Sequence, residues 1–310
     1  MEKIFDTIIN EICKERGIKV QRISYDWIKI LEKEGKTSIL VAYNFELNSA
    51  VSKVIANDKY ATYALLEAND IPIIEHKLIF NPQTRQEYYY DTYIDYIKEL
   101  LDKDKKIIIK VNDSSQGKEV FCLNSIEDVE NKINTLFEYN DNLSICPFVE
   151  IDYEYRAIYL DGEIIYIYKK EKPSVIGDGK SSLKDLIQAK SETEEIDIDI
   201  MDSLDLNSIP QNGEKVTISW KHNLSNSAEP ILIDKNEENY NEIIELAIKT
   251  GKTLGITFAS IDICLTSKKE ILVMEVNSNV CMSKFSKKIP NGYQIVKDVY
   301  SKAIDKLKFR

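Results

Sequence analysis

Two stretches late in the sequence, Phe258–Leu265 and Ile271–Asn277, alternate apolar and polar residues and read as the two strands of one hairpin. Alternation puts Ile261, Ile263 and Leu265 on one face of the first strand. Leu272, Met274 and Val276 take one face of the second, and together these six side chains predict a core layer. Asp262, Glu275 and Asn277 are left on the opposite face. With the connecting loop centred near Lys268 and Lys269, Asp262 falls across from Glu275 or one step from it, and directly opposed like charges destabilise a sheet. A cation between them removes the repulsion, and three hard oxygen donors suit magnesium, which completes its shell with water and phosphate oxygens. The competing reading is the solvated outer face of an edge hairpin, and spacing alone divides the two about evenly.

The rest of the chain supplies an ordered framework for such a hairpin. Of its 310 residues 43% are hydrophobic and 30% charged, well away from the composition that leaves chains unfolded. A helix running to Arg16 is stopped by Gly17, and short strands follow around Lys19–Ile23 and Ser38–Tyr43. Asn48 and Ser49 cap a short helix; Asn57 and Asp58 cap another through Leu65, ended by Asn69 and Pro72. A strand and loop to Arg85, a helix near Asp91–Leu101, a strand Ile107–Val111 and a helix begun by Ser125 come next. From Ser144 the strands lengthen, with Tyr153–Leu160 and Ile164–Lys170 joined by the turn dipeptide Asp161-Gly162. The acidic segment Ser191–Asp205 reads as a solvated helix or loop.

A net charge of −11 argues against nucleic acid or an anionic membrane as partner, and no apolar run approaches the roughly 20 residues of a membrane span. Five scattered cysteines without a C-x-x-C suggest neither a disulfide framework nor a zinc site, so the default location is the cytoplasm.

Upstream of the hairpin, the strand Ile107–Val111 carries Lys110 near its end. A small polar loop follows, with Ser114, Ser115, Gly117 and Lys118, and leads back into Val120–Leu123. A strand, loop and strand of this kind can cover phosphates with backbone N–H groups, although one glycine is a weak signal and a lone lysine is more often a solvated strand end. The order of these parts resembles the ATP-grasp superfamily, in particular the branch of cyanophycin synthetase, bifunctional glutathione synthetase and ribosomal-protein glutamate ligases. The resemblance runs from about Asn48 to Phe285. It rests on Asn57-Asp58-Lys59 before Ile71-Pro72, Lys110 with the 114–118 loop, Cys146-Pro147-Phe148-Val149-Glu150, Glu154-Tyr155-Arg156, Gly177-Asp178-Gly179-Lys180, Asn223-Leu224-Ser225 and the acidic hairpin.

The resemblance implies an ATP-grasp fold of mixed α+β and α/β character, with two lobes holding a nucleotide between antiparallel sheets. A small N-terminal α/β segment (1–56) precedes a central lobe (57–145) and a C-terminal lobe with the magnesium site (146–310). It implies ATP with two magnesium ions, manganese being a substitute. Lys59, Lys110, Ser114, Ser115, Gly117, Lys118, Pro147, Phe148, Val149, Glu150 and Glu154 are the implied nucleotide contacts. Asp262, Glu275 and Asn277 are the implied metal ligands, and Arg156, Asn223 and Lys170 the implied catalytic groups. The implied reaction joins a small carboxylate to an amine, an amino acid or short peptide, through an acylphosphate; a homodimer is the family-level expectation. A phosphotransferase and an ATP-binding regulatory or scaffold protein are the alternatives. Two departures stand out: Glu171 occupies the usual place of an arginine, flanked by Lys169, Lys170 and Lys172, and the phosphate loop is poor in glycine. His222 reads as a hydrogen-bonded packing residue behind Asn223, Cys146 and Cys281 as small fillers, and Trp27 and Trp220 as core or rim residues.

Overall fold

The computed structural model describes residues 4–84, 93–113, 119–194, 200–201 and 203–310. Helix α1 (Ile4–Glu15) buries Phe5, Ile8, Ile9, Ile12 and Cys13, one apolar stripe at helical spacing, and the chain leaves it through Gly17 at φ 65°. Strands β1 (Lys19–Ile23), β2 (Ile28–Lys33), β3 (Lys36–Val41) and β4 (Asn44–Phe45) follow as an antiparallel meander. The sequence reading passes over β2. Its preceding turn holds Ser24, Tyr25 and Asp26 at positive φ with no glycine or asparagine to announce it.

Helix α2 (Ala50–Asn57) is capped by the Ser49 side chain and α3 (Lys59–Glu67) by Asp58, as the sequence predicts. A second sheet then forms from β5 (Lys77–Phe80), β6 (Ile107–Val111), β7 (Val120–Leu123) and β8 (Asn142–Pro147), in the order β5-β8-β6-β7. It is covered on one face by α4 (Tyr93–Asp104) and α5 (Ile126–Phe137). Ile107, Ile109 and Val111 point into that helical core, so Ile108 and Lys110 face the other way.

The third sheet is built from β9 (Ile151–Leu160), β10 (Glu163–Glu171), β13 (Glu229–Leu232), β14 (Phe258–Thr266) and β15 (Ile271–Asn277). Its order is β13-β10-β9-β14-β15, antiparallel throughout. Between these strands lie a small β11–β12 pair (Ser174–Ile176 with Lys215–Thr217) packed on α6 (Leu183–Glu194), and α7 (Tyr240–Thr253). The chain closes with α8 (Ser283–Lys288) and α9 (Gly292–Asp305).

Both faces of the third sheet are used. One packs on α2, α3 and α7 through Ala56, Leu66, Ile243 and Ala247. On the other, Ile158, Leu160, Tyr168 and Phe258 join Phe5, Leu31, Leu40 and Tyr300 in one core with α1, the N-terminal sheet and α9. The N-terminal segment and α3 therefore both pack on the lobe expected at 146–310. Asn48 fastens this arrangement, its Nδ2 donating to Phe258 O at 2.7 Å while its Oδ1 accepts from Thr257 N and Phe258 N at 2.9 and 2.8 Å.

Hairpin β14–β15 has the predicted strands, with Asp262 directly opposite Glu275. One expectation fails there. A bulge after Asp262 pairs Ile263 with Val273 and leaves Met274 as the extra residue, so the core layer takes Val273 and Val276 while Leu272 and Met274 turn to the Asp262 face. The bulge reverses the alternation that the sequence pattern assumed.

Candidate active site

Register aligns the charged residues in rows across the third sheet. Tyr168, Arg156, Asp262 and Glu275 are successive cross-strand neighbours on β10, β9, β14 and β15. In the next row Lys170 lies opposite Glu154, which lies opposite Cys264. Along one face of β9, therefore, Leu160 and Ile158 belong to the N-terminal core, and Arg156 and Glu154 continue the same face as charge.

Lys170, Glu154 and Asp262 are buried, Arg156 is partly buried, and the four are paired. Arg156 Nε and Nη2 donate to Asp262 Oδ1 and Oδ2 at 2.7 and 2.5 Å, a bidentate fork, and Lys170 Nζ lies 3.2 Å from the same Oδ2. Lys170 also donates to Glu154 Oε1 in a very short contact. Lys170 and Asp262 are each 2% exposed and Glu154 6%. Burial works against the charge on Asp262, yet Arg156 and Lys170 hold its carboxyl down at about 2. Burial dominates at Glu154, and with Asp262 nearby it pushes the carboxyl up to about 7 against the pull of Lys170.

This face fronts a cavity of about 1000 Å³ between the second and third sheets. Lys59, Lys110, Glu154, Asp262 and Glu275 stand on its wall. Ile74, Ile108, Cys146, Phe148, Trp220 and Met274 belong to one apolar cluster and line it as well. Pro147, Val149 and Glu150, on the segment joining the two sheets, also line it, as does Asn223. Lys59 Nζ donates to the carbonyls of Val111 and Asn112 at 3.1 and 3.0 Å, so it clamps α3 to the end of β6 while bordering the cavity. Burial lowers its pKa, and the Lys110 charge adds to that against the pull of Glu275.

Arg156, Lys170 and Asn277 are not on the wall. Arg156 and Lys170 grip Asp262 and Glu154, and Asn277 Nδ2 donates to Glu275 Oε1 at 2.7 Å. Ser114, Ser115, Gly117 and Lys118 lie outside the described residues.

The lysines around Glu171 separate by partner. Lys169 pairs with Glu237 at 2.7 Å and Glu171 with Lys215 at 2.6 Å, whereas Lys172 lines the cavity. Gly177-Asp178-Gly179 is a turn tied to residues 210–214, with Gly177 N donating to Glu214 O, Gly213 N to Gly177 O and Gly179 N to Pro210 O at 2.8, 2.9 and 3.2 Å. A Cβ on Gly177 would sit 2.2 Å from Gln211 O, and the Asp178 carboxylate accepts from Lys180 N, Ser181 N and Ser181 Oγ at 2.7–2.8 Å. Cys146 is buried, with its thiol raised by that burial, whereas Cys281 is exposed instead of filling space; Trp27 is exposed as a rim residue. His222 lines the cavity but departs from expectation, because its Nε2 is buried without a hydrogen-bond partner. The sequence reading did not single out Ile74, Ile108, Met274, Lys172 or Trp220 as cavity-wall residues. Ile108 was legible from its two-residue spacing to Lys110, and Met274 was hidden by the bulge.

The donor set fits a hard cation beside a polyphosphate. Asp262 and Glu275 are opposed carboxylates on the wall, Asn277 supplies an amide beside Glu275, and Lys59 and Lys110 border the same space. No group of three His, Cys, Asp or Glu gathers to hold a metal among the described residues. The apolar cluster suits a flat aromatic base.

Residues 211–299 match the model of the RimK-like ATP-grasp domain. The chain is 24% identical over 290 residues to the glutathione biosynthesis bifunctional protein of Clostridium perfringens, covering 86% of this chain and 33% of that protein. It is 24% identical over 303 residues to the cyanophycin synthetase of Trichormus variabilis, covering 88% and 32%. The chain thus spans about a third of the length of these curated relatives. Among solved structures it resembles the bifunctional glutathione synthetase of Pasteurella multocida, with a TM-score of 0.57 and 16% identity over 96% of this chain and 44% of that one. The ATP complex of the D-alanine–D-alanine ligase of Bacillus anthracis gives a TM-score of 0.53 and 15% identity, covering 83% and 66%. The fold is that of the ATP-grasp ligases.

Proposed function

We propose that this chain, an ATP-grasp protein in fold and in its curated relatives, binds ATP with magnesium between its second and third sheets and joins a carboxylate to an amine. The observation that carries the reading is the opposed carboxylate pair Asp262–Glu275, which shares the wall of one cavity with Lys59 and Lys110. Asp262, Glu275 and Asn277 would hold the metal, which neutralises phosphate charge. Lys59 and Lys110 supply cations for the phosphate oxygens, and the Phe148, Met274 and Ile108 surfaces hold the base. Arg156 and Lys170 fix the direction of Asp262 and Glu154 from behind, so positioning is set before any ligand arrives.

In the reaction, a carboxylate oxygen of the first substrate bonds to the γ-phosphorus as the bond to the β-bridging oxygen breaks, giving acylphosphate and ADP. The amine then bonds to the acyl carbon, phosphate leaves, and the nitrogen loses a proton to solvent. The relatives named for glutathione and cyanophycin synthesis support an amino acid or short peptide as the amine or carboxylate. Among the described residues no helix is long and apolar enough to cross a membrane, and we place the reaction in the cytoplasm.

A phosphotransferase would release ADP without an amine. A regulatory nucleotide binder is the reading favoured by Glu171, which is tied to Lys215 where the resemblance expects an arginine. The deciding experiment screens amino acids and short peptides for magnesium-dependent ADP release with mass analysis of the product. Release that needs carboxylate and amine together supports ligation; tight ATP binding with no turnover on any pair overturns it.

A further inference from the structure

Strand β2 is laid inside out for a strand that meets water. Its residues Ile28-Lys29-Ile30-Leu31 alternate, and the inner face takes Lys29, paired with Asp6 of α1, and Leu31, at 2% and 0% exposure. Ile28 and Ile30 are thereby turned outward. Cross-strand register sets Ile23 and Val41 on either side of Ile28, and Ile39 beside Ile30. None of these five joins any apolar cluster of the described residues. An antiparallel sheet with one face in water carries polar residues there, so five β-branched apolar side chains over a buried lysine do not make a solvated surface.

The turn between β1 and β2, which closes the Ile23–Ile28 end of this face, extends the apolar surface. Tyr25 is fully exposed there and Trp27 58% exposed, while Ile23 and Ile39 are 40% and 41% exposed. Four of the twelve large exposed hydrophobics among the described residues thus fall between positions 23 and 39, a concentration where single scattered ones are the ordinary pattern. With aromatic side chains offering about 150–250 Å² each, face and turn together present roughly 500 Å² of apolar surface. Charge around them cancels locally: Lys19 pairs with Glu32 at 3.4 Å on the outer face and Arg22 with Asp26 at 3.8 Å by the turn, in a chain of net charge −11.

We propose that this face docks a second copy of the chain, sheet on sheet about a two-fold axis. Area and charge select the occupant. Two such surfaces facing each other bury about 1000 Å², the level a specific interface has to clear. Sheets stacked about 10 Å apart interdigitate aliphatic side chains of this kind. A two-fold contact sets the same patch against itself, and locally paired charges let identical surfaces meet without opposing like signs. The same neutrality gives nucleic acid or an anionic lipid surface nothing to hold. An interface at the low end of the size range predicts a pair that dissociates at about 1–100 μM. None of the face residues lines the cavity, and the contact does not depend on the functional reading above.

The test is sedimentation equilibrium of the full chain from about 1 to 200 μM, with melting temperatures of dilute samples as a check on folding. The average mass should rise from that of one chain, 35.8 kDa, toward that of two and stop there. Ile30→Lys and Ile39→Lys should each weaken the pair about tenfold or more, since the two-fold axis brings every substitution in twice. Ile30→Thr and Ile39→Thr keep a β-branched side chain, serve where a lysine variant does not fold, and should weaken the pair in the same direction. Leu232→Lys, at a comparably exposed apolar residue of the third sheet, should leave it unchanged. A wild type that stays one chain throughout overturns the proposal; its sedimentation with phosphatidylcholine vesicles would then give the face to a lipid surface. A mass that climbs past two chains overturns it too, as does a pair that persists at wild-type strength in the folded Ile30 and Ile39 variants or is weakened equally by Leu232→Lys.

Discussion

Two sets of buried opposite charges serve this molecule in different company. In the N-terminal core, Lys29 Nζ lies 2.7 Å from Asp6 Oδ1, donates to Asp26 O at 2.9 Å and sits over the Phe5 ring. That lysine is enclosed by protein. In the third sheet, Lys170 is equally embedded and Arg156 partly so, but the carboxylates they hold, Glu154 and Asp262, look onto the cavity beside Glu275. Burying an ion pair costs desolvation that its attraction only just offsets, so neither set is explained by stability alone. The first closes a core; the second keeps negative charge aimed at a space bordered by Lys59 and Lys110.

The largest expected effect comes from removing one member of each set. Lys170→Met leaves Glu154 without its closest cation and Asp262 with Arg156 alone, and Lys29→Met leaves Asp6 buried beside apolar side chains. Each should cost about 3–5 kcal/mol in urea unfolding. A loss below about 1 kcal/mol at Lys170 would mean that its carboxylates are not charged in the folded state.

Next, the two sets should part when function is read. Glu275→Gln touches neither buried cation, so its unfolding free energy should stay within about 0.5 kcal/mol of wild type. Magnesium-dependent ADP release should fall by about 100-fold or more, the scale of losing one charge-stabilising group. Unchanged release in this variant would remove the hairpin from the metal site.

A smaller effect is expected from replacing a whole pair. Asp6→Leu with Lys29→Met puts apolar groups among Phe5, Leu31 and Leu40 and should return stability to within about 1 kcal/mol of wild type or above it, with ADP release intact. If that double variant lost ADP release while folded, the N-terminal pair would belong to the site and the contrast would fail.

The smallest effect concerns Glu194, a partly exposed carboxylate that accepts from Ser227 Oγ and Lys288 Nζ at 2.7 and 2.9 Å and pairs with Lys190. Burial pulls it up, but Lys190, Lys288 and Ser227 together hold it down at about 2. A depressed carboxyl contributes stability above its unfolded value of about 4.3 and loses that contribution as pH falls through about 2. Glu194→Gln should therefore lose less stability than wild type between those two pH values. Parallel acid limbs in the two proteins would show that the pairing contributes nothing.

How far the site could be read from sequence follows from which periodicities survive folding. Asp262 and Glu275 were found because alternation leaves both as charge on one face of the hairpin; loop counting left their register open by one residue, and the bulge between the loop and the pair sets them opposite. Met274 was misplaced for the same reason, since one extra residue flips every assignment beyond it. Arg156 was expected to grip a phosphate or carboxylate, and it grips one supplied by the protein's own Asp262, a partner 106 residues away that only strand order brings near. Capped helices such as α2 and α3 were legible because Ser49 and Asp58 act locally. Strand β2 was not, because its turn is made by Ser24, Tyr25 and Asp26 in a conformation their side chains do not advertise. Lys172 needed coordinates, because nothing local says which lysine of a run will meet the cavity.

Asn48 has a consequence for how the protein is made. Its three hydrogen bonds reach a strand about 210 positions later, and backbone bonds join Thr37 to Arg310. At about 5–20 residues per second, the ribosome needs roughly 10–40 s to deliver that strand after Asn48 has emerged. Through that interval the apolar faces of α1 and the first sheet wait without their partners. Those faces have to be shielded until the strand at 258 is made, and the yield of folded protein should respond to chaperone supply during synthesis.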